Sequence, residues 1–251
     1  MTDAALARSI AAEAGELLRR IRAAHACGKA LGDRGDREAN ALILARLAAE
    51  RPGEFVLSEE SVDDQRRCGA DRVWIVDPLD GTRDYADGLD DWAVHIGLAV
   101  DRRPAVGAVA IPMLGRTYAT DACATPLTPL PPRPRMTVSR TRCPALADAV
   151  AARLNAEMVP MGSAGAKAMA VVDGRADIYL HAGGQYEWDN CAPAAVAIAA
   201  GLHVSRIDGS PLIYNCADPL LPDLLICRRE LAGKVLDAIT AVQTPAEATP
   251  G

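Results

Sequence analysis

The sequence predicts an α+β protein built in two halves. Three observations predict it. Helical spacing fills the first fifty residues, β-rich runs follow between residues 55 and 120, and beyond a proline-rich break at 126–134 strand and helix alternate. The 251 residues are half apolar and 24% charged, enough to bury a sizeable core and too apolar for global disorder.

Residues 4–22 place Leu6, Ile10, Leu17 and Ile21 at helical spacings. A polar loop from Gly28 to Gly35 follows, then a second helix from about Arg37 to Glu50 with Ala41, Leu42, Ala45 and Leu47 on its apolar side. Arg51-Pro52-Gly53 stops it. Phe55–Leu57 and Val73–Val76 read as short strands. Trp92 to Val100 is the clearest strand, with Trp92, Val94, Ile96, Leu98 and Val100 on one face and Ala93, His95, Gly97 and Ala99 on the other. Ala105–Ile111 and Arg116–Thr120 continue an antiparallel meander. Prolines 126, 129, 131, 132 and 134 make a linker, which bounds an N-terminal half (1–125) and a C-terminal half (136–243).

In the second half Met136–Ser139 reads as a strand and Ala145–Leu154 as a helix. Gly162-Ser163 leads into a helix ending near Gly174, and Asp177–Leu180 is a strand. Asp189 begins an Ala-rich helix ending at Gly201, Leu224–Cys227 is a strand, and Leu231–Val242 is the last helix. The tail from Thr244 to Gly251 is expected to fray.

The net charge of −6 argues against a nucleic-acid polymer as partner, but not against a small anion, because a bound metal inverts local charge. No apolar run approaches the length of a membrane span, and residues 1–21 have no apolar core of a secretory signal. The seven cysteines (27, 68, 123, 143, 191, 216 and 227) form no Cys-x-x-Cys pair and read as reduced, mostly buried thiols of a cytoplasmic protein.

Acids end the strands. Glu59 and Glu60 follow Phe55–Leu57; Asp77 ends Val73–Val76 and opens Asp77-Pro78-Leu79-Asp80-Gly81-Thr82; Asp189 sits at a loop-to-helix junction. Asp77 leaves a buried-type strand carrying a charge, and such a carboxylate needs donors, a basic partner or a metal. Two carboxylates, the Leu79 carbonyl and a hydroxyl crowd one turn, an oxygen-only set that suits Mg²⁺. His95 reads as a core histidine, Trp188 as a packing anchor, and Glu60 as loop support with a metal contact as the lesser alternative. The Asp84–Asp91 segment has no interpretation from sequence. The nucleophile motif of haloacid dehalogenases, Asp-x-Asp-x-Thr, is not met, since two residues separate Asp77 from Asp80.

Taken together, Leu57-Ser58-Glu59-Glu60, Asp77-Pro78-Leu79-Asp80-Gly81-Thr82 and Trp188-Asp189 resemble the inositol monophosphatase superfamily of lithium-sensitive, magnesium-dependent phosphomonoesterases. Gly162–Val171, Val138-Ser139-Arg140, Tyr179–Gln185 and Asp208–Leu212 resemble its CysQ-type 3'(2'),5'-bisphosphate nucleotidase branch in actinobacterial form. The resemblance implies a layered α-β-α-β-α sandwich and two to three Mg²⁺ per active site. It implies Glu59, Asp77 and the Leu79 carbonyl for the first ion, and Asp77, Asp80 and Asp189 for the second. Glu59 would also touch a third ion, and Asp36 would reach the metals through water. Thr82 and Glu59 would activate the attacking water, with Asp36 behind them, and Gly81 and Thr82 would grip the phosphate. Arg140, Gly162, Ser163, Ala164, Gly165 and Lys167 would contact the nucleotide, with Tyr186 near its base. The implied reaction is hydrolysis of 3'-phosphoadenosine 5'-phosphate to AMP and phosphate by metal-activated water, in sulfate assimilation. Inositol phosphate and fructose bisphosphate remain alternative substrates, and an inactive metal- or phosphate-binding regulator is the alternative outside the class. A homodimer is what the resemblance suggests.

Overall fold

Two five-stranded sheets and seven α-helices make up the computed structural model, which describes residues 1–123 and 129–244. Helix α1 spans Asp3–Ala24, with Thr2 accepting a cap hydrogen bond from the Ala5 N–H, and α2 spans Lys29–Glu50. The expected loop at 28–35 is therefore the start of α2. Gly32 and Gly35 suggested a loop, since glycine costs about 1 kcal/mol against alanine inside a helix. Here close packing outweighs that cost: a Cβ at Gly35 would meet Leu79, Leu18 and Tyr85 at 3.0–3.1 Å. The buried face of α2 is also not the expected one. It runs through Leu31, Asp36, Ala39, Asn40, Ile43 and Leu47, while Ala41 and Ala45 are exposed. Asp36 thus faces inward.

The first sheet holds β1 (Phe55–Ser58), β2 (Arg72–Asp80), β3 (Ala93–Val100), β4 (Arg103–Ile111) and β5 (Arg116–Ala119), side by side in chain order. β1 and β2 are parallel and the rest antiparallel. The β2–β3 ladder slips between Asp77, opposite His95, and Asp80, opposite Ala93, so both acids stay on the sheet end rather than in a separate turn. Helix α3 (Thr82–Ala86) follows.

The second sheet holds β6 (Arg135–Ser139), β7 (Glu157–Met161), β8 (Ile178–Tyr186), β9 (His203–Ser205) and β10 (Leu220–Cys227) in the order β7-β6-β8-β10-β9. Helices α4 (Ala145–Leu154), α5 (Ala164–Val172), α6 (Glu187–Ala199) and α7 (Ala232–Gln243) complete it. β7 and β9 were not expected. Both are edge strands, and Pro160 in β7 and the three-residue length of β9 hide them in the sequence. β8 runs six residues past the expected Leu180, through Gly183 and Gly184.

Three apolar cores stack the layers. α1 and α2 cover one face of the first sheet through Leu6, Ile10, Ile43, Trp74, Val94 and Ile96. α5 and α6 fill the space between the sheets, joining Ile75 and Val109 to Tyr179, Leu224 and Ile226. α4 and α7 cover the outer face of the second sheet. The result is the α-β-α-β-α sandwich. Residues 129–134 of the expected linker carry no helix or strand; Pro126 lies outside the described residues, as does the tail beyond Thr244. The cysteines depart from expectation. Only Cys191 and Cys227 are buried, while Cys27 and Cys68 are exposed, because most of these thiols sit on loops or helix ends rather than on core faces.

One polar network crosses the inter-sheet layer. Arg67 is fully buried, donates to both oxygens of Asp63 (2.6 and 2.8 Å) and to Asn215 Oδ1 (2.9 Å). Glu187, also fully buried, accepts from the Asn215 and Cys216 N–H groups at 2.7 and 2.8 Å. This ties the start of α6 to the first sheet's side of the molecule. Removing Arg67 leaves the half-buried Asp63 carboxylate and the buried Asn215 Oδ1 without their donor. Arg67→Ala should therefore destabilise the fold by about 3 kcal/mol or more, read as a lower urea midpoint at unchanged slope.

Candidate active site

The acids converge because three element ends meet. β1 delivers Glu59, the slipped end of β2 delivers Asp77 and Asp80, and the first turn of α6 delivers Asp189. Asp77, Asp80 and Asp189 each bring a carboxylate oxygen within 4.8 Å of the others. Asp77 and Asp80 are buried and Glu59 is exposed beside them. Asp36, on the inward face of α2, lies behind Thr82: the Thr82 hydroxyl sits 3.3 Å from Asp36 Oδ1 and 3.0 Å from the Leu79 carbonyl, either of which accepts its one proton. Gly81 takes a left-handed φ of 89° and starts α3 there.

Electrostatics sets the character of the cluster. Burial drives the Asp77 carboxyl far above its ordinary range, and repulsion from Glu59, Asp80 and Asp189 adds to it. Desolvation followed by Asp189 pushes Glu59 up to about 7, despite the solvent at its side. Desolvation and Glu60 raise Asp36 to about 7, and desolvation and Asp80 raise Asp189 to about 6. Asp80 goes the other way. Burial pushes it up, but His95 and hydrogen bonds from Ser163 Oγ and the Gly165 N–H (2.6 Å) outweigh that and hold it at about 2. His95 is fully buried, as expected of a core residue, with Nδ1 3.0 Å from the Trp188 carbonyl. Its Nε2 lies 3.2 Å from Asp80 Oδ2, close enough for an ion pair although too oblique for a good hydrogen bond. Sequence reading missed this role, and the only available signal was His95's place opposite Asp77 on β3.

Five carboxylates thus have only His95, Lys167 and, at Asp36, Lys29 as neighbouring cations, so the protein's own charges do not balance them. The donors are oxygens only, which fits a hard divalent cation of the Mg²⁺ type.

A cleft of about 770 Å³ is lined by Asp80, Thr82 and Asp189 together with Arg142 and Tyr186. That volume suits a small organic ligand. Most of the residues expected to touch a nucleotide line it, but several are already engaged. Arg140 donates to Asp84 Oδ1 (2.6 Å) and to Asp91 Oδ2. Buried Lys167 donates to the Gly162 carbonyl and, at 2.8 Å, to that of Ser163; desolvation lowers it to about 8. Tyr186 is exposed at the rim and stacks on Trp188 with ring centres 4.6 Å apart. Arg83 and Arg142, also at the cleft, pair with no carboxylate among the described residues. Glu60 is exposed.

Fold and cluster define a layered sandwich whose carboxylates gather at the junction of its two sheets. The chain belongs to the inositol monophosphatase family, whose model matches residues 2–124 and 133–243. It is 51% identical, over 96% of its length and 95% of the relative's, to the 3'-phosphoadenosine 5'-phosphate phosphatase of Mycobacterium leprae. It is 30% identical to human 3'(2'),5'-bisphosphate nucleotidase 1, covering 84% and 85% of the two chains. Among solved structures, CysQ from Bacteroides thetaiotaomicron, described as a bacterial member of the family, matches with a TM-score of 0.76 at 28% identity over 90% of this chain and 97% of that one. Inositol monophosphatase II from Staphylococcus aureus shares the fold at a TM-score of 0.81 and 20% identity, covering 96% of each chain.

The raised carboxyls make the metal-free protein sensitive to pH. Unfolded, these groups titrate near 3.8–4.5; folded, Asp189, Glu59 and Asp36 hold protons to about 6–7. Between those limits the folded chain binds more protons than the unfolded one, so stability falls as pH rises. In EDTA the unfolding temperature should drop by more than about 3 °C between pH 5 and 7.5, and Asp77→Asn should flatten the fall. Thermal unfolding followed by circular dichroism checks both.

Proposed function

We propose that the protein is a Mg²⁺-dependent phosphomonoesterase that removes the 3'-phosphate of a nucleoside 3',5'-bisphosphate such as 3'-phosphoadenosine 5'-phosphate. The observation that carries the reading is the polarity of the cleft. A carboxylate cluster fit for divalent cations and the guanidinium-bearing residues Arg83 and Arg142 line one and the same cleft. A ligand with two phosphates can offer one to cations held by the cluster and one to these arginines; inositol monophosphate has a single phosphate to offer. The names of the mycobacterial and human relatives support the same substrate. The setting we propose is sulfate assimilation in the cytoplasm. No helix among the described residues is long and apolar enough to cross a membrane.

In this reading Glu59, Asp77 and the Leu79 carbonyl would hold one Mg²⁺, Asp77, Asp80 and Asp189 would hold a second, and Glu59 would border a weaker third. Bound Mg²⁺ supplies positive charge against the phosphate and acidifies water. The chain does the rest by positioning. Thr82 Oγ1 orients the attacking water and passes its proton toward Asp36, whose Oδ1 lies 3.3 Å from that hydroxyl. Glu59 is the second group placed to take a proton from that water. The Gly81 and Thr82 N–H groups at the start of α3 bind phosphate oxygens. Tyr186, backed by Trp188, offers a flat apolar surface for the base.

Phosphate release from 3'-phosphoadenosine 5'-phosphate, inositol 1-phosphate and fructose 1,6-bisphosphate, each with and without Mg²⁺, tests the reading. The nucleotide should lead in kcat/KM and all turnover should require the metal. Equal rates on inositol 1-phosphate would contradict the substrate, and a chain inactive on all three would be a regulator instead. Asp77→Asn should lower kcat at least tenfold, about 1.4 kcal/mol in barrier, with folding intact. Thr82→Ala should lower kcat by about 10²-fold or more with little change in KM; a rise in KM alone would make Thr82 a substrate contact. LiCl should inhibit where NaCl and KCl at equal ionic strength do not.

A further inference from the structure

The acid-rich segment Asp84–Asp91, from α3 to just before β3, has no part in the chemistry above, yet it makes three polar contacts to Arg140 and Gly162. Arg140, one residue beyond β6, reaches Asp84 on α3 and Asp91 before β3 with its two terminal nitrogens. Asp91 Oδ2 also accepts from the Gly162 N–H at 3.2 Å, and the Arg140 N–H donates to the Met161 carbonyl at 2.9 Å. The packing is close: a Cβ at Gly162 would lie 2.5 Å from Asp84 Oδ2 and 2.7 Å from the Asp91 carbonyl oxygen. Lys167 fastens the same stretch from the inside through the Gly162 and Ser163 carbonyls.

Immediately after Gly162 come the donors that hold Asp80. Ser163 Oγ and the Gly165 N–H both donate to Asp80 Oδ2. Oδ1 accepts from no group among the described residues. The contacts therefore run without a gap from Arg140 through Asp84, Asp91 and Gly162 to one oxygen of Asp80. The Arg140 guanidinium is about one-third exposed, so its ion pairs add little to stability by themselves. What they fix is geometry, since one planar group spans two carboxylates that would otherwise repel each other.

We propose that Arg140 is a positioning residue for the cation site. Clasped by Asp84 and Asp91, it seats the Gly162–Gly165 elbow so that Ser163 and Gly165 take Asp80 Oδ2 and leave Oδ1 for the divalent ion. It does not contact the nucleotide. This gives the Asp84–Asp91 segment its function, and it rests on reading the cluster as a divalent-cation site.

Mg²⁺ binding to the substrate-free full-length protein, measured by isothermal titration calorimetry, tests the clasp apart from turnover. Arg140→Gln and Asp91→Asn should each weaken Mg²⁺ affinity by about tenfold, the usual size of an outer-shell effect, and the double variant should lose little more than either single one. Both should lower kcat/KM for nucleotide and inositol phosphate by the same factor, and raising Mg²⁺ should restore much of it. Thermal unfolding confirms that each variant folds, and D84N serves in place of one that does not. The proposal is overturned if R140Q leaves Mg²⁺ affinity within twofold and raises KM for the bisphosphate alone, above all if D84N and D91N lower that KM by freeing the guanidinium. If the wild type hydrolyses no phosphate ester yet R140Q still weakens Mg²⁺ binding, the enzymatic reading fails and the clasp stands. If the wild type binds no Mg²⁺, both fail.

Discussion

Mutual repulsion among buried carboxylates is the constraint on which the rest of this structure depends. Asp77 and Asp80 are almost fully enclosed, Asp189 and Glu59 adjoin them, and Asp36 stands behind. A folded chain left to itself would separate or neutralise such groups, because charge in a low-dielectric interior is costly. Here the apolar layers on either side fix the backbone that carries them. Val73–Val76 of β2 is packed from both faces, and α6 is buried from Asn190 to Ala197, so neither Asp77 nor Asp189 can withdraw. The cost is held in place by the cores, and in the proposed function a divalent cation relieves it.

Within the cluster the environments divide the labour. Asp80 has His95 beside it and two donors, Ser163 Oγ and the Gly165 N–H, on one oxygen, so it stays ionised to about pH 2, while Asp77, Asp189 and Glu59 are pushed upward. One carboxylate is thereby oriented before any ion arrives, and the others respond to its arrival. His95, Ser163 and Gly165, which orient it, come from both sheets' sides of the cleft, so metal site and cleft wall form one unit.

Much of this was legible in the sequence. Asp77, Asp80, Thr82 and Asp189 stand out because acids follow strongly apolar strands, and that contrast survives without coordinates. The strands Val73–Val76 and Trp92–Val100 were legible for the same reason, since period and β-branching agree. The start of α2 was hidden by Gly32 and Gly35, whose helical placement depends on Tyr85 and Leu79 arriving from elsewhere in the chain. β7 and β9 depend on neighbours for their hydrogen bonds and carry no pattern of their own. His95 read as core because its partners, Asp80 and Trp188, are joined to it only by the sheet slip and by α6. The ion pairs of Arg140 with Asp84 and Asp91 were hidden because these partners lie about fifty residues upstream, a separation over which sequence alone reports no contact.

The claim that a divalent cation resolves this repulsion is tested most directly by crystals soaked in MnCl₂ with adenosine 5'-phosphate and inorganic phosphate, using anomalous scattering at the manganese edge. Anomalous peaks should lie between Asp77, Asp80 and Asp189 and beside Glu59 and the Leu79 carbonyl, with phosphate oxygens facing Gly81 and Thr82 and the nucleotide running toward Arg142 and Tyr186. Manganese found elsewhere, with the five carboxylates unligated at saturating metal, would contradict it.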